Sequence, residues 1–226
     1  MEEETVSTGI LLITSCGIAL VLVVLAVLAT RRLDLREPSR AQNLLEVVVS
    51  ALNNFTVGII GPEGEKYTPL IGTVFIYILA MNLIGLVPGM HSPTSNLSFT
   101  LAIAVVVFVM YNYYGVRRVG AFKYLKHLAG EPLWLAPLML PIHIIGEIAR
   151  PISLAVRLYG NVFGKEIILV VFAGMTFVFV PYLLAIPTQF PMLVFAVFIS
   201  FVQALVFALL TAIYIAIAIS DEEHGH

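Results

Sequence analysis

The sequence predicts an all-α, polytopic membrane protein with about five spans, an amphipathic interfacial helix and a long, steeply tilted helical hairpin at the C-terminal end. The first observation is composition, because 60% of the 226 residues are apolar and only 12% are charged. This balance excludes an ordinary water-soluble domain. The second is a set of charge-free runs long enough to cross a bilayer, and the third is that basic residues gather between them.

The first span is predicted at residues 9–30, which are 22 residues without a charge. At ~1.5 Å per residue, this run covers a bilayer core of ~30 Å. A cleaved signal peptide would carry basic residues before its apolar core, whereas Arg31 and Arg32 follow it here. We therefore expect a retained helix whose N-terminus lies outside.

Residues 41–60 differ in kind, because charged residues flank them and their apolar side chains recur at helical spacing. This pattern predicts an amphipathic helix that lies in the membrane interface or on a partner. The turn-forming stretch GPEGEKYTP at residues 61–69 ends the helix. The apolar stripe consists of Leu44, Leu45, Val48, Leu52 and Phe55.

Two further spans are predicted at residues 70–88 and 97–115, joined by a tight outer loop, PGMHSPTSN. Of the twelve Lys and Arg residues, five fall within 31–68 and four within 116–130. Positive charge accumulates in cytoplasmic loops of membrane proteins. The topology therefore places the N-terminus outside and the C-terminus in the cytoplasm.

The last two helices are predicted to be too long for upright spans. Residues 134–182 would measure ~70 Å as one helix, more than twice the bilayer core. No polar loop divides this run, and only Pro141 and Pro151 offer bends. A steeply tilted, bent helix fits better than two ordinary spans. Residues 191–219, at ~43 Å, would run beside it after a turn at 182–190.

Arg157 lies near the middle of the longest apolar run, among Leu, Ala, Val and Tyr. Its guanidinium keeps its charge at any accessible pH, and that charge costs roughly 3 kcal/mol in lipid unless it finds a partner. No carboxylate lies one helical turn away. Ser153 and Asn161 do, with Gly160 and Gly164 on the same face. This small, weakly polar face predicts the close approach of another helix that presents an anion from a different chain.

Several separated motifs resemble those of subunit a of the F-type ATP synthase. RPISLAVRLYGNVFGKE surrounds Arg157, FVQALVFALLTAIYIAIA lies downstream, and MNLIGLVPG is followed by SPTSNLSFTLAIAVVVF. The resemblance covers about residues 40–219 and keeps the motifs in order. It implies the membrane stator that supplies two offset proton half-channels against the rotating ring of c subunits, with the long hairpin facing that ring.

The resemblance also implies that Arg157 faces the essential carboxylate of each passing c subunit. A guanidinium nearby favours the charged form of such a carboxylate. Arg157 would make it release its proton toward one half-channel, and would repel a proton that hops directly between the two. The sequence contains no motif of a catalytic site, so nucleotide chemistry is expected to belong to other chains of the complex.

Three polar residues on the two long helices are candidates for the proton path beside Arg157. The resemblance assigns Gln203 to the support of the arginine, and Asn161 would line the path. The plainer explanation of both is a hydrogen bond between helices. Ser153 is either part of the path or a small packing residue.

Three ionisable residues are the remaining candidates. The resemblance places Glu166 in the outer half-channel, although a salt bridge to the adjacent Lys165 would also explain it. His143 and Glu147 lie four residues apart on one helix face. They would line the inner half-channel or stabilise the bend. The same spacing suits a metal, but no further ligand pair supports one.

The sequence departs from the family pattern at two positions. Ala196 stands where many members have a titratable residue, two turns before Gln203, and His143 stands where many have an acid. The first change leaves Glu166 without its usual partner across the hairpin. Either the proton relay uses different residues here, or the outer half-channel relies on water with Glu166 and the polar residues Asn82, His91 or Asn96.

The expected partners are the c-ring subunits, the peripheral-stalk b subunits and the remaining ATP synthase subunits, together with the lipid bilayer and protons. No cofactor, metal or nucleic acid is expected, and the expected location is a bacterial inner (plasma) membrane. Two other classes stay open. One is an independent ion or anion transporter or channel with Arg157 as its substrate-binding residue, although the sequence shows no internal repeat. The other is a purely structural membrane scaffold.

Overall fold

The computed structural model describes residues 2–31, 40–87, 92–120, 136–179 and 189–220, and these segments fold into helices and short turns. The all-α class is thereby confirmed. Short 3-10 turns at Pro62–Lys66 and Pro93–Ser95 precede the third and fourth helices. The helices are α1 (Glu2–Thr30), α2 (Arg40–Ile60), α3 (Thr68–Ile84), α4 (Leu97–Val119), α5 (Ala136–Phe179) and α6 (Gln189–Ser220).

Five helices within the described segments are long and apolar enough to cross a membrane. The stretch Gln42–Ile60 is one of them by length and composition, so the interfacial position of α2 stays a prediction. α3 is a shorter apolar helix of 17 residues. It ends at Ile84, where the prediction extended the span to residue 88. The reason is a turn in which the amides of Leu86 and Val87 bond to carbonyls three residues earlier.

The core lies between α3, α4, α5 and α6. α5 packs against α4 and α6, and α3 packs against α6. Small residues on α6 bring these helices close, and larger side chains fill the space between them. Fully buried members of this core include Ile71, Ile78, Leu158, Phe207 and Ile215.

α5 runs through 44 residues as one helix with Pro141 and Pro151 inside it. At ~1.5 Å per residue it is ~66 Å long, about twice the thickness of a bilayer core. α6 adds 32 residues beside it. The predicted turn at 182–190 lies outside the described residues, except for its last two positions at the start of α6.

The turn after α2 and the last turn of α4 meet at one end of the bundle. Arg118 Nη1 lies 2.8 Å from Glu63 Oε2, and Arg118 Nη2 donates to Glu63 Oε1 at 3.0 Å. These hydrogen bonds favour the charged carboxylate and lower the pKa of Glu63 below its ordinary value. The pair is therefore lost at a lower pH than that at which an unpaired glutamate takes up its proton. It joins the two loops predicted to be cytoplasmic.

Gly64 gives a test of the packing between α2 and the turn that follows. A Cβ at Gly64 would lie 2.9 Å from the carbonyl oxygen of Thr56 and 3.0 Å from Cα of Val57. We expect Gly64→Ala to destabilise the fold by about 1–3 kcal/mol, because backbone atoms must move apart. The measurement is the midpoint of thermal unfolding of the purified protein in detergent.

The matched control is Gly58→Ala on α2, where an added Cβ would meet no heavy atom within 4 Å. This variant should be neutral or slightly more stable, because alanine favours a helix over glycine by up to ~1 kcal/mol. Equal midpoints for the two variants would contradict the close approach at Gly64.

Candidate functional site

Arg157 lies on α5, at the outer surface of the helical bundle. Its neighbours Leu154 and Leu158 are buried in the core, whereas Arg157 itself is exposed. Among the residues that the structure describes, its guanidinium makes no hydrogen bond or ion pair. A permanent charge so placed in an apolar helix is costly in lipid unless an anionic group lies beside it.

The surface beside Arg157 is made of small residues. Ser153, Gly160 and Asn161 are exposed next to it. A Cβ at Gly160 or Gly164 would meet no heavy atom within 4 Å, so the backbone there is open to close approach. The small, weakly polar face that the sequence predicts is therefore present on the outside of α5.

Asn161 and Gln203 form a polar contact between α5 and α6. Asn161 Nδ2 donates to Gln203 Oε1 at 2.5 Å, and Gln203 is almost fully buried. Asn161 follows Arg157 by four residues, so it lies one helical turn away on the same side. The hydrogen bond fixes the two long helices against each other one turn from the unpaired arginine.

Glu147 belongs to a second polar cluster, which joins α5 to two other helices. Its carboxylate pairs with Arg150 at 2.5 Å and accepts a hydrogen bond from Tyr111 Oη at 2.7 Å. Arg150 also lies over the ring of Tyr214, 5.3 Å from its centroid. The cluster ties α5 to α4 and α6 beside the proline at 151. His143, one turn earlier, is exposed.

Glu166 and Lys165 are adjacent in sequence but differ in exposure. Glu166 is half-buried, whereas Lys165 is only 4% exposed and points into the bundle. Lys165 Nζ donates to the main-chain oxygen of Asn82 at 3.0 Å and to Ser200 Oγ at 3.2 Å. Sequence reasoning treated Lys165 only as a neighbour of Glu166. Its position inside an apolar run, away from any cytoplasmic loop, was the available signal.

The candidates are spread along α5 rather than gathered at one point. His143 and Glu166 are 23 positions apart, which is ~35 Å along a helix and close to the thickness of a bilayer core. Arg157 lies between them. Two other residues that the sequence analysis missed are Tyr111, which holds Glu147, and Ser200, which holds Lys165. His91 lies outside the described residues.

The model of the family described as ATP synthase A chain matches residues 11–216. The chain belongs to this family. ATP synthase subunit a 1 of Syntrophotalea carbinolica is 47% identical over 204 residues, which are 90% of this chain and 83% of the relative. ATP synthase subunit a of Citrifermentans bemidjiense is 44% identical, over 91% of this chain and 84% of the relative. That of Protochlamydia amoebophila is 42% identical, over 82% and 71%.

Membership of the ATP synthase A chain family confirms the resemblance read from the motifs. It makes the chain a multi-pass membrane subunit with a stator role in the membrane sector of an ATP synthase. Its partners are accordingly the c-ring and the other subunits of that complex.

Tyr111 gives a test of the cluster around Glu147. Tyr111 is 1% exposed, so Tyr111→Phe would leave a half-buried carboxylate short of one donor without changing the packed ring. We expect a loss of about 1–3 kcal/mol in stability, the usual effect of an unsatisfied buried group. The measurement is thermal unfolding of the purified complex.

The control for this test is Tyr113→Phe on the same helix. Tyr113 is 51% exposed, and within the described segments its hydroxyl accepts a hydrogen bond only from the exposed Arg117. Its removal should leave the unfolding midpoint unchanged. A Tyr111→Phe midpoint as high as that of the control would argue that Glu147 does not depend on this hydroxyl.

Proposed function

We propose that the chain forms two offset proton half-channels against the c-ring and couples proton movement to ring rotation and ATP synthesis, with Arg157 facing the c-subunit carboxylate. The observation that carries this proposal is the guanidinium of Arg157, exposed on α5 and unpaired within the described residues. Its charge cannot be relieved by deprotonation, so it favours the ionised form of a carboxylate brought beside it.

The order of polar groups along α5 supports the two half-channels. His143 and Glu147 lie before Arg157 and would line the inner half-channel, where the Glu147 cluster reaches α4 and α6. Glu166 lies after Arg157 and would serve the outer half-channel. Asn161 lies next to the arginine with its partner on α6. Each half-channel thus has its own ionisable group, and the arginine separates them.

Arg157 acts in this mechanism as both a release group and a barrier. A c-subunit carboxylate that reaches it releases its proton to one half-channel, crosses the seam as an anion and reloads from the other. The fixed cation repels a proton that moves directly between the half-channels. Each charge moved through 100 mV contributes ~2.3 kcal/mol, so several are needed for each ATP formed.

The proposed orientation has the N-terminus outside and the C-terminus in the cytoplasm of a bacterial inner membrane. The Glu63–Arg118 pair then lies on the cytoplasmic side, and the turn at Pro93–Ser95 lies on the outer side. The excess of basic residues in the loops joined by that pair supports this orientation. Peripheral-stalk b subunits complete the stator in this proposal.

The decisive test is ATP synthesis in membranes that carry Arg157→Ala. We expect synthesis to be lost while the complex stays assembled, because the c-subunit carboxylate no longer meets a cation. Passive proton conductance through the membrane sector should rise, because the barrier is removed. Both are measured on the same membranes, with c-ring retention in the purified complex as the check on assembly.

Arg117→Ala is the matched control, since Arg117 is an exposed arginine at the end of α4 whose one side-chain hydrogen bond in the described part of the chain is to the exposed Tyr113. ATP synthesis and passive proton conductance in membranes that carry Arg117→Ala should match those with the unaltered protein. Near-normal synthesis in Arg157→Ala would overturn the mechanism. It would return Arg157 to a structural role and favour an independent transporter.

A further inference from the structure

The part of α5 that lies between its two prolines has little contact with the rest of the bundle. Of residues 141–150, every one is exposed except Glu147 and Arg150. After Pro151 the helix is different, because side chains such as Leu158 pack into the core. We call residues 141–150 the inner arm. Its attachment to the bundle therefore depends on two charged residues.

Pro151 allows the inner arm to bend away from the packed part of α5. Proline has no amide hydrogen, so the carbonyl of Glu147 lacks its usual hydrogen bond within the helix. Sharp kinks in helices form at such positions. Because the core holds the helix after Pro151, a change of the bend moves the inner arm and leaves the packed part in place.

Four side chains from three helices hold the inner arm. The carboxylate of Glu147 pairs with Arg150 and accepts a hydrogen bond from Tyr111 on α4. The guanidinium of Arg150 lies over the ring of Tyr214 on α6, and the rings of Tyr111 and Tyr214 are 5.7 Å apart. We call these four residues the latch. It forms a closed set of contacts that runs from α5 to α4, to α6 and back.

The chemistry of the latch selects one orientation of the inner arm. Apolar side chains of similar size would hold an arm without the cost of desolvating two charges. Charged hydrogen bonds and a cation over an aromatic ring depend more strongly on geometry. The pairing of Glu147 with Arg150 thus adds a fixed position for the arm, beyond simple attachment.

The inner arm carries His143, which is exposed. His143 precedes Arg157 by 14 positions, which is nearly four helical turns, so the two lie on similar sides of α5 about 21 Å apart. Eight positions separate His143 from Pro151. A change of ~10° in the bend at the proline would therefore move His143 by ~2 Å relative to Arg157.

The latch and the Asn161–Gln203 hydrogen bond give α5 and α6 the same register. Asn161 follows Arg150 by eleven positions on α5, and Tyr214 follows Gln203 by eleven positions on α6. The two helices therefore run antiparallel without a shift of register across the proline. With the latch closed, the inner arm continues along α6 in line with the packed part of α5.

We propose that Arg150 is a positioning residue of this stator, which holds the inner arm against the bundle through Tyr214 and so fixes His143 relative to Arg157. This inference rests on the proposed function, in which His143 would line the inner half-channel. Arg150 acts through the position of the inner arm and does not meet the carboxylate of a c subunit. An open latch leaves Arg157 in place, because its segment stays packed in the core.

The first test is Tyr214→Leu in the whole complex, which keeps an apolar side chain but removes the ring under Arg150. We expect ATP synthesis and passive proton conductance, each per assembled complex, to fall roughly tenfold, because the released His143 no longer lies in line with Arg157. Both are measured in liposomes, and conductance is measured after removal of the catalytic sector.

Tyr214→Phe is the matched control, because it keeps the ring and removes only a hydroxyl that makes no hydrogen bond within the described segments. Synthesis and conductance per complex with this variant should equal those of the unaltered protein. A purely structural role for Tyr214 predicts fewer assembled complexes in Tyr214→Leu, with unaltered synthesis in each. That result would overturn the positioning role of Arg150.

The latch and the proposed function fail in different ways. Arg157→Ala is expected to raise passive conductance, whereas Tyr214→Leu is expected to lower it. Near-normal synthesis in Arg157→Ala would remove the proposed function. Normal synthesis per complex in Tyr214→Leu, together with lost synthesis in Arg157→Ala, would remove only the latch.

A second test leaves the latch unchanged, so it holds even where Tyr214→Leu fails to assemble. In a Cys16→Ser background without other cysteines in the complex, spin labels are attached at Ile145→Cys and Val170→Cys. These exposed positions lie on opposite sides of Pro151. The closed latch predicts a narrow distribution of the distance between the labels, measured by electron–electron double resonance.

The comparison pair, Val156→Cys with Val170→Cys, lies wholly after the proline at exposed positions. Its distance distribution should be equally narrow, and Tyr214→Leu should broaden only the distribution for the pair that spans Pro151. A broad distribution across Pro151 with the latch intact would overturn the proposal, because the inner arm would then bend freely.

Discussion

The structure depends on one charge that cannot be removed. Arg157 keeps its proton in lipid, and the described part of its own chain offers it no anion. The two faces of α5 therefore differ in composition. Leu154 and Leu158 pack into the core, and the opposite side keeps glycine, serine and asparagine beside the arginine. In the proposed function, a helix of the c-ring approaches that side closely and brings its carboxylate within reach of the guanidinium.

Arg157 and Lys165 are charged residues of the same apolar helix, but Lys165 is buried and Arg157 is exposed. The ammonium of Lys165 points into the bundle, where it donates to a carbonyl at the end of α3 and to the hydroxyl of Ser200. Groups of the same chain thus offset part of the cost of burying it. The guanidinium of Arg157 is exposed on the outside of α5. In the proposed function, Lys165 fixes helices of the stator, and Arg157 acts on the carboxylate of a c subunit. A cation that already bonds to groups of its own chain could not fill the role proposed for Arg157.

The sequence predicts the fold class, the family and the long α5 helix, because hydropathy, charge placement and motifs are local properties of the chain. It also identifies Arg157 as a candidate, since a charge among Leu, Ala, Val and Tyr stands out. It does not predict that Tyr111 holds Glu147, because the two are 36 residues apart and meet only when α4 packs on α5. The end of α3 at Ile84 was missed for a similar reason, since a turn of hydrogen bonds rather than composition stops it.

Ser200 connects Ala196, one of the two departures from the family pattern, to Lys165. Its hydroxyl donates to the carbonyl of Ala196 at 2.8 Å, so its lone pairs are left to accept from Lys165. A single hydroxyl thus joins the position that lacks a titratable side chain to the lysine that reaches across from α5. A cationic side chain at position 196 would lie beside the ammonium, and the low dielectric of the interior makes repulsion between like charges strong. Alanine at position 196 therefore leaves Lys165 without a competing cation on α6.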